Sequence, residues 1–176
     1  MDRSRVPPTR AGRPEPDPIP ESFQFGRPTP VVTLRFEDID VGLTRDCGSV
    51  TVTGPEIVAF GERYDPQPFH TDPEAAARSP YGGLVASGWQ TCALTARLLV
   101  EEYLSDTASA GGRGIDELRW PRPVRPGDTL SVRAEVVAKR PGRNPALGET
   151  DVAVRTTNGD GETVLSMVAL GLVERR

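Results

Sequence analysis

The hydrophobic period changes between the middle of this chain and its last third, and that change restricts the fold more than any single motif does. From about Ala86 to Leu104 there is no proline, and Trp89, Cys92, Ala93, Ala96, Leu99, Val100 and Tyr103 recur at spacings of three and four. That is the pattern of a long helix with one broad buried face. Downstream the period falls to two. GIDELRW, DTLSVRAEVVAKR, TDVAVRTT and ETVLSMVALGLVER alternate apolar and polar residues between turn signals such as Pro126-Gly127 and Asn158-Gly159-Asp160-Gly161, as antiparallel strands with one covered face do. Upstream, VVTLRF (Val31 to Phe36) and CGSVTVT (ending at Thr53) are β-branched and partly alternating, so they too read as strands. Two early strands, one long helix and several long antiparallel strands predict an α+β architecture with a sheet wrapped round a central helix. At 176 residues the chain supports one such domain and core, not two.

The ordered domain is expected over 31–176. Residues 1–30 carry Pro7, Pro8, Pro14, Pro16, Pro18, Pro20, Pro28 and Pro30 among arginines and acids, which reads as a flexible arm, with Phe23 and Phe25 as candidates to dock its end. Lys+Arg 21 against Asp+Glu 25 gives a net charge of −4. With no basic block, nucleic acid and anionic membranes are excluded as expected partners. Cys47 and Cys92 lack metal-ligand spacing and read as small buried thiols, so no metal is expected. No apolar run approaches the roughly 20 residues of a membrane span, and the expected compartment is the cytoplasm.

Between the early strands and the long helix lies YDPQPFHTDPEAAARSPYGGLVASG, Tyr64 to Gly88, where the groups able to do chemistry concentrate. Thr53-Gly-Pro-Glu56 is a capping box that starts a helix from about Gly54 to Tyr64, with Ile57, Ala59, Phe60 and Tyr64 mainly on one face. Asp65-Pro66 ends it. Pro66 and Pro68 predict a stiff, non-helical link carrying Asp65, Gln67 and the only histidine, His70. Asp72-Pro73-Glu74 starts a further short helical stretch, stopped by Ser79-Pro80. Gly82-Gly83 and Ser87-Gly88 then deliver the chain into the long helix with its first N–H groups free. Ser87-x-x-Gln90 by itself reads as an ordinary capping box, and Asp65-Pro66 by itself as a turn cap.

Three stretches together, YDPQPFHTDPEAA, GGLVASG and LRWPRPVRPGDTLSVRAEVV, resemble the MaoC-like hydratases and dehydratases, of the (R)-specific enoyl-CoA hydratase type. The resemblance covers about Val31 to Arg175 and implies a hot-dog fold. By position it implies Asp65 and His70 as the catalytic pair and the Gly88 N–H as the donor to the thioester oxygen, with Gln67 and Ser87 beside the substrate. Gln67 stands where many relatives have Asn, keeping the amide on a longer stem. Adding water across a 2-enoyl thioester needs a base for the water, an acid for the α-carbon and stabilisation of charge on the thioester oxygen; these groups supply them. The implied substrate is an acyl thioester of coenzyme A or acyl carrier protein, with no separate cofactor. Arg140 and Arg143 are weaker candidates for the coenzyme A phosphates.

A second reading is a non-catalytic hot-dog subunit or acyl-thioester-binding partner; a thioesterase of the same fold is a third. Retention of both Asp65 and His70 favours the enzyme. A hot-dog sheet also leaves strand edges and a helix face to cover, so a homodimer is expected.

Overall fold

The computed structural model describes residues Thr33 to Arg176. The expected arm, with Phe23 and Phe25, and the start of the first expected strand lie outside the described residues. Five strands form one antiparallel sheet: β1 (Thr44–Thr51), β2 (Ser109–Arg119), β3 (Thr129–Pro141), β4 (Leu147–Thr157) and β5 (Thr163–Glu174), in the order β1-β3-β4-β5-β2. Four helices join them: α1 (Gly54–Tyr64), α2 (Pro68–Thr71), α3 (Pro73–Ala77) and the long α4 (Gly88–Glu102). The sheet wraps α4, the hot-dog arrangement. Strict alternation along β3 and β4 buries Val132, Ala134, Val136, Val152 and Val154 on the face that meets Leu98, Leu99 and Tyr103 of α4. A second cluster, Val52, Ile57, Ala86, Val124, Leu130 and Val164, packs α1 and the entry to α4 onto the other end of the sheet.

Four expectations are corrected. VVTLRF is not a strand where it is described: Leu34 makes a single bridge to Thr107, and Phe36–Asp38 is a 3-10 turn. Phe36 is buried, and its ring lies where a side chain at Gly148 would stand, so this segment closes the core instead of extending the sheet. The strand expected from GIDELRW, which begins at Gly114, starts earlier, because β2 begins at Ser109. Backbone pairing with β5 carries it through its glycines, with register shifts at Ser109/Gly111 and Gly112/Gly114.

The buried face of α4 is also not the expected one. Gln90, Thr91, Thr95, Leu98 and Leu99 face inward, and the Thr95 hydroxyl meets that of Thr156 at 2.8 Å. Leu99 and Tyr103 are buried as expected, whereas Trp89, Ala93, Ala96 and Val100 form an outward stripe, with Trp89 59% and Val100 51% exposed. Paired threonines satisfy one another inside, so the apolar stripe is left for another surface. On α1, likewise, Ile57 is buried while Ala59 and Tyr64 are exposed.

Candidate active site

The site is assembled from both ends of the α1-to-α4 connection. Thr53 caps α1 as its sequence predicts, the Glu56 N–H donating to Thr53 Oγ1 at 3.4 Å and the Thr53 N–H to Glu56 Oε2 at 2.9 Å. The helix stops at Tyr64, and the Asp65 N–H donates back to the Gly61 carbonyl at 2.9 Å. His70 is not on a non-helical link. Pro68 starts the short helix α2, which carries it, since proline is pre-organised for a first helical position. α2 is seated on Gly61: a Cβ there would lie 2.9 Å from the His70 carbonyl oxygen and 3.0 Å from its Cβ. Asp72 then caps α3 by accepting from the N–H groups of Glu74 at 2.8 Å and Ala75 at 3.1 Å.

His70 is buried, and its Nδ1 lies 2.7 Å from the Val85 carbonyl oxygen. A carbonyl only accepts, so Nδ1 carries the proton and Nε2 of the neutral ring presents its lone pair. That lone pair faces Asp65 Oδ2 at 3.4 Å, beyond an ordinary direct hydrogen bond. Asp65 is held from two sides: Ser87 Oγ donates to Oδ2 at 2.7 Å and Gln67 Nε2 to Oδ1 at 2.8 Å. The Ser87 hydrogen bond, opposed by partial burial and reinforced by Gln67 and His70, holds the Asp65 carboxyl below its ordinary value. Asp65 is thus a carboxylate through the neutral range and a weak proton acceptor.

Ser87 stands apart from its expected role at the substrate. It is fully buried, and its hydroxyl is engaged by Asp65 and by the Trp89 N–H, which donates to it at 3.2 Å. It caps α4 while orienting the carboxylate. The capping box with Gln90 does not form; Gln90 Oε1 is buried without a partner. Gly88 is the first residue of α4, and its N–H has no acceptor among the described residues. There the unpaired donor and the positive end of the helix dipole favour an anionic oxygen.

Asp65, Gln67, His70 and Gly88 all line one cleft of about 540 Å³, walled by Phe69, Tyr81, Trp89 and Trp120. Sequence reading missed the roles of Gly61, Val85 and Trp120. Only Gly61 left a trace, as an isolated glycine inside a helical pattern. Arg140 does not offer a free charge for a phosphate, because it pairs with Glu149 at 2.9 Å and Asp151 at 2.8 Å. Among the described residues no helix is long and apolar enough to cross a membrane, and no group of three or more His, Cys, Asp or Glu is placed to hold a metal ion.

Both the sequence and the fold have relatives among known proteins. A MaoC-like dehydratase from Rhodospirillum rubrum has a solved structure that superposes with a TM-score of 0.75 at 43% identity, over 81% of this chain and 98% of that one. The 3-hydroxybutyryl-CoA dehydratase of Methylorubrum extorquens is 32% identical over 151 residues, 81% of this chain and 86% of its own. The uncharacterized protein YdeM of Bacillus subtilis is 31% identical over 125 residues, 71% of this chain and 88% of its own. Residues 41–158 match the MaoC like domain, and the chain belongs to that family.

Proposed function

We propose that this protein is a hydratase or dehydratase that adds or removes water at the 2,3-position of an acyl thioester, in the manner of the (R)-specific enoyl-CoA hydratases. The observation that carries the reading is the fixed tautomer of His70: with Nδ1–H committed to Val85, the basic Nε2 faces an ionised Asp65 across the cleft, beside the free Gly88 N–H. Two acceptors that face each other at 3.4 Å cannot satisfy one another, but one water can donate a hydrogen to each.

In the hydration direction the water oxygen attacks C3, and His70 Nε2 takes the proton because the lowered Asp65 is the poorer acceptor. Electron density moves through C2 to the thioester oxygen, which Gly88 N–H stabilises. The imidazolium then returns that proton to C2, the thioester carbonyl re-forms, and both side chains end as they began. The proton that reaches C2 is the one removed from the water, so no separate stored proton is needed. Dehydration is the same path reversed.

The substrate carrier in this reading is coenzyme A or acyl carrier protein, and the working unit is a homodimer. The outward stripe of α4, the largely exposed edge strand β2 and the half-exposed Ile115 support pairing with a second copy. The test is absorbance-monitored hydration of crotonyl-CoA and longer 2-enoyl-CoA thioesters by the purified protein. Turnover abolished by His70→Ala supports the reading. Saturable binding of these thioesters without turnover favours the non-catalytic subunit.

A further inference from the structure

The reaction described above makes no use of Trp120, yet its indole is packed directly on Gly88. A Cβ built on Gly88 would first meet that ring, with Cε2 at 2.7 Å, Cδ2 at 2.8 Å and Nε1 at 3.0 Å. Glycine at this position is therefore required by the indole, and the space that a side chain would fill is not open to substrate. The ring is held from several directions. Trp89, the residue after Gly88, meets it edge-on with centroids 5.4 Å apart and planes at 75°. Cys92 lies one turn further along α4, and the indole partly offsets the upward push of burial on its thiol. Pro121 and Pro123 stiffen the segment that follows, and the Ala86 N–H donates to the Val124 carbonyl at 2.9 Å, tying that segment to the entry of α4.

Resting on the hydratase reading, we propose that the Trp120 indole is the wall of the thioester slot: it holds the substrate's thioester carbonyl against the Gly88 N–H and keeps water from competing for that donor. A hydrogen bond to a developing oxyanion is worth far more where water is excluded. The flat apolar ring, 42% exposed as a whole, covers that donor on the side where it packs on Gly88, and Trp89 at the next position meets it edge-on. The slot thus takes the flat thioester group lying along the indole. It acts on the carbonyl end, which every acyl chain shares, and so is indifferent to acyl length.

The test uses acetoacetyl-CoA, a 3-oxoacyl thioester that has no 2,3 double bond to hydrate and whose enolate, carrying charge on the thioester oxygen, absorbs in the near ultraviolet. Titrated into the full-length protein at neutral pH, it should build the enolate band. Trp120→Phe, which keeps a flat ring, should retain it, whereas Trp120→Leu and Trp120→Ala should weaken enolate binding at least about tenfold, short of the roughly hundredfold or more that loss of an oxyanion donor itself costs. The same two variants should lower kcat for crotonyl-CoA and 2-octenoyl-CoA by a common factor, with KM less affected. If the Trp120→Ala variant fails to fold, the leucine variant, which keeps apolar bulk, carries the comparison. Wild-type enolate binding in the leucine variant overturns the proposal, as does a loss confined to the longer thioester. A wild-type protein that hydrates crotonyl-CoA but never builds the band overturns the slot and leaves the hydratase reading standing; one that neither binds nor hydrates overturns both.

Discussion

Replacing Ser87 with alanine removes one hydroxyl that serves two structures at once. Its Oγ accepts the Trp89 N–H at 3.2 Å as the cap of α4 and donates to Asp65 Oδ2 at 2.7 Å. Loss of an N-cap acceptor costs about 1 kcal/mol. Loss of a hydrogen bond to a charged group costs about 1.5 to 3 kcal/mol, and at a fully buried serine no water replaces it directly. The expected destabilisation at pH 7 is therefore roughly 2.5 to 4 kcal/mol. The two parts separate with pH. The Asp65 carboxyl is lowered in the folded protein from the ordinary 3.8, chiefly by Ser87. A depressed carboxyl contributes stability that is present above its unfolded value and is lost as pH falls through its folded value. The gap between wild type and Ser87→Ala should thus be full at neutral pH and shrink below about pH 4 toward the capping part alone. Urea unfolding at a series of pH values measures it. A gap under about 0.5 kcal/mol at pH 7, or one that does not narrow in acid, would refute the claim that this hydroxyl holds the carboxylate.

Three further outcomes are expected. Asp65→Asn and His70→Ala should each lower kcat by at least about a hundredfold, and the double variant should be little slower than the worse single one, because groups acting on one water fail as a unit; steady-state kinetics on crotonyl-CoA check this, and additive losses would contradict it. Gly88→Ala puts a methyl 2.7 Å from Trp120 Cε2, an overpacking cost of about 1 to 3 kcal/mol, so the melting temperature should fall and the tryptophan emission should change as the ring is displaced. Sedimentation should give a dimer at micromolar concentration, and a monomer with intact activity would remove the homodimer from the proposal.

Much of the fold was legible because it depends on local rules. The α1 cap needs only Thr53 and Glu56 three positions apart, and β3 and β4 follow from alternation alone. The spacing of Asp65 and His70 was legible through the family resemblance, and the structure sets both beside one cleft. What the sequence could not decide were matters of who meets whom at long range. Apolar periodicity marks a helix but cannot choose between two adjoining faces, and α4 turned its threonines inward because Thr156 was there to satisfy Thr95. β2 runs through a glycine-rich segment that has no strand propensity, because β5 supplies its backbone partners. His70 is helical and of fixed tautomer only because Gly61 lets α2 approach and Val85, fifteen residues downstream, accepts from Nδ1. Local propensity is written in neighbouring residues, whereas the tautomer of a histidine and the wall of a slot depend on atoms that only the folded chain brings within hydrogen-bond or van der Waals range.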